Sequence, residues 1–141
     1  MASAHPIQSK VQADAVAALK DSPDAYAAAA RVAADLVASA LRSGPHPPRE
    51  VVLHACHGAM AALVLQEKDP AKGAVQLMRS LGDVAQTTGT DPMDMMTWAM
   101  EGIARIAPLL QPAPLYSMRE AIENAFMGAG TLFNELCAKA K

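Results

Sequence analysis

A chain of 141 residues is long enough for one domain that closes a hydrophobic core without metals or disulfides. Hydrophobic residues make up 52% of the chain, aromatic residues 4% and charged residues 18%, below the roughly 25% of ordinary soluble domains. The net charge of −2, with no run of lysine or arginine, argues against a nucleic-acid binder or a protein that docks on anionic membranes.

The apolar residues are mainly alanine, leucine, valine and methionine, and this bias favours helices over sheet. High apolar content with little charge indicates that another protein surface covers part of the chain, and we expect a homodimer. The first ten residues carry no apolar signal core, and the most apolar stretch is too short to span a bilayer. We therefore expect a cytoplasmic protein that does not enter a membrane.

The first third of the chain predicts an arm and two helices. Residues 1–8 are expected to form a flexible arm, and 9–141 a single helical domain. A first helix is predicted over about 9–20. Ser22-Pro23-Asp24 combines a capping side chain, a first-turn proline and an acidic residue, so a second helix is predicted from there to about Arg42.

The stretch Val51–Gln66 contains no Asp, Glu, Lys or Arg. A helix that is apolar on all sides needs neighbours on all sides, so we predict a buried central helix over about 48–68. Small residues at steps of three and four on one face let neighbouring backbones approach closely. These residues are Ala55, Gly58, Ala59 and Ala62.

The remaining sequence predicts three more helices. Asp69-Pro70 and Asp91-Pro92 start two of them, ending near Thr87 and Ala107. In the second of these, Met93, Met96 and Met100 fall at core spacing. The last helix is predicted over about 117–138 because Ser117-Met118-Arg119-Glu120 matches a capping box, and Gly128-Ala129-Gly130 within it predicts a close helix contact. The predicted fold is an all-α, single-domain bundle of five or six helices.

His54, Cys56 and His57 form the one ligand-like cluster in the sequence. His54 and His57 share a helix face and could bind one metal ion or a non-covalent haem, but further ligands would have to come from other helices. Covalent c-type haem is excluded because Leu53 stands where a first cysteine is needed. We expect no cofactor and no metal, with the histidines serving as structural residues.

Two groups of apolar residues suggest contact with other molecules. His57, Met60, Met96 and Met100 could line a pocket for a small apolar ligand, since methionine adapts to irregular shapes, although core packing explains the same spacing. Trp98 aligns with polar residues, as does Met127, and exposed large side chains of this kind often mark an interface.

The sequence carries no catalytic carboxylate pair, nucleophile triad or glycine-rich phosphate loop. The expected function is therefore a self-associating binding or interaction module without catalysis. One alternative is a sensor or carrier of a small apolar ligand beside the central helix. A second alternative is a metal- or thiol-dependent enzyme that uses His54, Cys56 and His57.

Overall fold

The structure, a computed structural model, describes residues 5–140, and within this range the chain forms seven α-helices, one 3-10 turn and no strand. The all-α prediction is confirmed. The helices are α1 (Pro6–Asp21), α2 (Ala25–Ser43), α3 (Pro48–Leu65), α4 (Pro70–Thr88), α5 (Pro92–Ala104), α6 (Pro112–Ala125) and α7 (Ala129–Ala140), and the 3-10 turn is Ala107–Leu109.

Aspartate caps begin three of the helices where the sequence predicts helix starts. Asp24 Oδ1 accepts a hydrogen bond from the Ala27 amide, and Asp69 and Asp91 cap α4 and α5 in the same way. A proline follows each of the last two caps, where its missing N–H costs no intrahelical bond. Gly89 ends α4 in the left-handed conformation, at φ +69°.

Helix α3 is the buried axis of the bundle, as predicted. From Val51 to Leu63 every residue is buried except His54 and His57, which are half-buried. Helices α1, α2, α4 and α5 all pack against it. None of the described helices is both long enough and apolar enough to cross a bilayer.

Two glycines bring neighbouring helices against the α3 backbone. A Cβ atom at Gly58 would lie 3.1 Å from both the Gln12 amide nitrogen and the Val11 Cβ atom of α1. A Cβ atom at Gly102 of α5 would collide with the Leu53 carbonyl oxygen. The close approach predicted for the small-residue face of α3 is therefore confirmed at Gly58, and α5 contributes its own glycine to a second close contact.

The predicted start of the first helix is wrong by three residues. Helix α1 begins at Pro6, and the His5 ring caps it by accepting a hydrogen bond from the Ile7 amide at 3.1 Å. Ile7 is buried in the core. The expected flexible arm therefore does not extend over residues 5–8, and its residues 1–4 lie outside the described part of the chain.

The predicted last helix is two helices. Helix α6 begins at Pro112, so Ser117 lies inside it and does not cap a helix start. The helix ends at Ala125, and Gly128 turns the chain with φ +90°. The Glu123 carboxylate accepts hydrogen bonds from the Gly128 and Gly130 amides at 2.8 and 2.9 Å, which fixes this turn. Gly128 thus lies in the turn, and Gly130 lies in the first turn of α7, where an added Cβ atom would be 3.0 Å from the Glu123 Cβ atom of α6.

Candidate functional site

A cleft of about 410 Å³ lies where α3, α5 and α7 meet. Most of its lining side chains are charged or polar. The lining residues are Arg49 and His57 from α3, Glu101 and Arg105 from α5 and its C-terminal end, and Leu136, Lys139 and Ala140 from α7.

Helix geometry explains why these residues face one cleft. Arg49 and His57 are eight residues apart, close to two turns, so they share a face of α3. Glu101 and Arg105 are four residues apart and are neighbours along α5. Lys139 lies in the last turn of α7, which packs against α5. Three helices thus each bring at least one cation to the cleft.

Arg49 and Glu101 join two of the cleft walls. Arg49 donates from Nε to Glu101 Oε1 at 3.3 Å and from Nη2 to Oε2 at 2.5 Å. The Glu101 side chain is 18% exposed but the Arg49 side chain is 54% exposed, so solvent still screens the pair. The hydrogen bond and the charge of Glu101 raise the pKa of Arg49. This bidentate contact connects α3 to α5 and involves the one carboxylate of the lining.

Arg105 and Lys139 give the cleft an excess of positive charge. Within residues 5–140 neither side chain makes an ion pair. With Arg49 they make three cations against the single carboxylate of Glu101. All three cations are exposed, so they attract an anion through solvent, and this attraction weakens as salt is added.

His57 is a neutral hydrogen-bonding group at the cleft wall. Burial, and then the charge of Arg105, lower the pKa of His57. Its Nδ1 atom is shielded from solvent and has no hydrogen-bond partner among the described residues. Because Nδ1 is shielded, Nε2 is the nitrogen of the neutral imidazole that can form a directed hydrogen bond with a ligand.

His54 does not join His57 in this cleft. Its ring stacks on the His5 ring, with centroids 4.0 Å apart and planes 7° apart. Burial, and then the neighbouring His5, lower the pKa of His54 to about 4. The group of metal-ligand side chains that the described residues bring together contains neither of the two predicted histidines. It consists of His5, His46 and Glu50.

Cys56 lies in the core, on a side of α3 that α5 covers. It is fully buried, and burial raises the pKa of its thiol. A reactive cysteine needs access and a stabilised thiolate, and this environment opposes both. The structure therefore gives the thiol-dependent alternative no support.

The methionines predicted to line an apolar pocket are mostly core residues. Met60 is fully buried and Met100 is 3% exposed, while Met96 is half-buried and packs against the core. The predicted core position of Met93 is wrong, because this residue lies in the first turn of α5 and is 74% exposed. Met95 takes the buried position instead. Of the four predicted pocket residues, only His57 borders the cleft.

The two predicted interface residues differ in exposure. Trp98 is half-buried and packs against the core, so it is less exposed than its alignment with polar residues suggests. Met127 is 96% exposed, as expected, but it lies in the turn between α6 and α7 and not within a helix. Their role in an interface stays a prediction.

The cations of the cleft are not among the residues predicted from the sequence to form a site. The four-residue step between Glu101 and Arg105 was a visible signal. The approach of α3 and α7 to that step is a tertiary feature with no local sequence pattern.

Comparisons of the chain with protein-family models, with curated proteins and with solved structures found no match. The chemistry of the cleft is therefore the basis on which a function is proposed.

Proposed function

We propose that the protein is a non-catalytic binding protein whose cleft between α3, α5 and α7 takes a small organic anion with a carboxylate or phosphate group. The observation that carries this proposal is the convergence of Arg49, Arg105 and Lys139 around one carboxylate. The volume of about 410 Å³ lies in the range usual for small-molecule sites.

The lining residues make different contributions to anion binding. Arg105 and Lys139 supply the attractive charge, while Arg49 is oriented by Glu101. Neutral His57 provides a directed hydrogen bond that distinguishes one anion from another. Leu136 and Ala140 add apolar contact, which favours an organic anion over a small inorganic one.

Two features support binding without chemistry. The single carboxylate of the lining is held by Arg49, so it is poorly placed to act as a general base. The buried Cys56 thiol is directed into the core, away from solvent. The proposed activity is therefore reversible capture of an anion, and we also propose a cytoplasmic location, on the basis of composition and sequence pattern alone.

Calorimetric titration with inorganic phosphate and with a tricarboxylate, both with a chelator present, tests the proposal. Replacing Arg105 by Gln should weaken binding about tenfold or more, since a charged hydrogen bond contributes about 1.5–3 kcal/mol. Arg31→Gln is the matched control, because Arg31 is an exposed arginine of α2 remote from the cleft lining. Absence of binding for both probes, or equal losses in the two variants, would overturn the proposal.

We also propose that the protein self-associates as a homodimer. The support is the low proportion of charged residues and the exposure of large apolar side chains, above all Met127 at 96%. Light scattering over a range of concentrations should show a dimer that Met127→Lys weakens. Glu135→Lys on the exposed side of α7 is the control for added charge. A monomer at every concentration would contradict the proposal.

A further inference from the structure

His5 meets His46 and Glu50, which are four residues apart in the sequence, beside the N-terminal end of α3. His5 precedes α1, His46 lies in the link between α2 and α3, and Glu50 is in the first turn of α3. Each offers one nitrogen or oxygen ligand atom, and these atoms all lie within 4.8 Å of one another. All three residues are half-buried, so they are partly shielded yet reachable from solvent.

We propose that His5, His46 and Glu50 bind a divalent transition-metal ion of the Zn²⁺ type. Two imidazoles and a carboxylate are ligands that Zn²⁺ accepts, and three protein ligands leave a coordination position for water or another ligand. Mg²⁺ and Ca²⁺ prefer oxygen ligands, so a site dominated by imidazole selects against them. This site differs from the anion cleft, whose lining contains none of the three residues.

The neighbouring rings hold the cluster in place. His5 stacks face to face on His54, and its ring lies 5.0 Å from the His46 ring in an edge-to-face arrangement. His54 is four residues from Glu50, on the same side of α3. A ring stacked on a helix residue has less freedom to turn, and restricted ligand side chains lose less entropy on binding a metal ion.

Metal binding should compete with the cap of α1. His5 Nδ1 accepts a hydrogen bond from the Ile7 amide, so the neutral ring carries its proton on Nε2. A metal ion at Nδ1 displaces the amide, and a metal ion at Nε2 moves the proton to Nδ1. Either route breaks the cap, which ties metal occupancy to the order of the first turn of α1.

Titration with Zn²⁺ and with Co²⁺, in a buffer free of phosphate and chelator, tests the site. His46→Ala and Glu50→Gln should each weaken Zn²⁺ binding by at least about tenfold. His57→Ala is the matched control, because it removes a histidine of α3, the helix of Glu50, that lies outside the cluster. His54→Phe keeps a ring for stacking and should leave the binding constant within a few-fold of the original value. Far-UV circular dichroism confirms that each variant is folded.

The results separate this site from the anion cleft. Arg105→Gln should retain Zn²⁺ binding, and His46→Ala should retain binding of the anion probes. Saturation only at millimolar Zn²⁺, or equal affinity in the His46, Glu50 and His57 variants, would overturn the proposal. Loss of binding in His54→Phe with no loss in Glu50→Gln would overturn the ligand set.

Discussion

The bundle around α3 and the C-terminal pair α6–α7 are held together in different ways. Helix α3 is covered by neighbours on all sides, and its residues from Val51 to Leu63 are almost all buried. Glycines at positions 58 and 102 let neighbouring helices reach its backbone. The cohesion of this region is apolar packing spread over a whole helix.

The C-terminal pair relies on fewer contacts. Helix α6 buries Met118 and Ile122, and α7 buries Phe133 as its one large side chain. The turn between them is fixed by the half-buried Glu123, whose carboxylate accepts hydrogen bonds from two backbone amides. The difference shows that a fully covered helix is determined by its apolar composition, whereas a peripheral helix pair depends on a few anchors and one polar turn.

Removal of a large side chain from the α3 core should have the largest effect. Leu63 is 1% exposed, so Leu63→Ala should lower the free energy of unfolding by about 2–5 kcal/mol through lost burial and the cavity left behind. Leu65, two residues later, is 61% exposed, so Leu65→Ala should change the free energy of unfolding by less than about 0.5 kcal/mol. Denaturant unfolding measures both, and similar losses would contradict the contrast between core and surface.

Two glycine-to-alanine substitutions should change the free energy of unfolding in opposite directions. A Cβ atom at Gly102 would meet the α3 backbone, so Gly102→Ala should lower the free energy of unfolding by about 1–3 kcal/mol. Gly82 of α4 has no heavy atom within 4 Å of an added Cβ atom, so Gly82→Ala should raise it by about 0.5–1 kcal/mol. A stabilising Gly102→Ala would show that α5 does not approach α3 as closely as described.

Loss of the Glu123 charge should affect the turn between α6 and α7 and leave the rest of the bundle unchanged. Glu123→Gln removes the charge that accepts two amide hydrogen bonds, so amide exchange at Gly128 and Gly130 should become faster. Amide exchange in α3 should not change, and it serves as the internal reference. Unchanged exchange at the two glycines would show that the turn does not depend on the carboxylate.

Acid should weaken the two regions in different pH ranges. The folded state lowers the pKa of His57 below the usual 6.5, so the stability from its neutral form is complete above pH 6.5 and declines as the pH falls. The pKa of His54 is lowered to about 4, so its contribution to stability also declines as the pH falls. Hydrogen bonds from Gly128 and Gly130 lower the pKa of Glu123, so its contribution is present above pH 4.5 and is lost below it.

Unfolding measured against pH, with a chelator present, separates these two contributions. His57→Gln should flatten the profile between pH 6.5 and pH 4.5, where Glu123 does not yet lose its contribution. Glu123→Gln should leave that range unchanged and flatten the profile below pH 4.5. Each variant is the control for the other, and identical changes in both profiles would refute the assignment of the two pH ranges.

The sequence was sufficient to predict α3 and the starts of α4 and α5. A charge-free run of this length has no stable exposed arrangement, so burial follows from composition. The Asp-Pro starts are equally local, because Asp69 and Asp91 bond to amides two residues away. These features need no knowledge of the rest of the fold.

The C-terminal pair shows where local patterns mislead. The capping-box pattern at Ser117 occurs inside α6, because Pro112 already starts the helix and the preceding turn satisfies the Ser117 amide. Periodicity across Gly128 suggested one continuous helix, yet the backbone there is at φ +90°. Local propensity did not reveal the Glu123 contacts that make this turn stable.

The candidate site was predicted only in part. His57 was recognised as an unusual polar residue, and it does border the cleft. Lys139 and Arg49 lie ninety residues apart and meet only through the packing of three helices. His5, His46 and Glu50 also come together only through tertiary packing. The segments that precede α1 and α3 converge at the N-terminal end of α3.

Helix α4 carries its own start and stop, in the Asp69 cap and the left-handed Gly89. Its limits are therefore encoded mainly within the segment itself, with one contribution from α2, where the Tyr26 hydroxyl accepts a hydrogen bond from the Asp69 amide. Over evolutionary time, the apolar partners of such a helix can be exchanged without shifting its ends. Asp69 and Gly89 should consequently tolerate less variation than the buried residues between them, an inversion of the usual pattern in which cores are the most constrained.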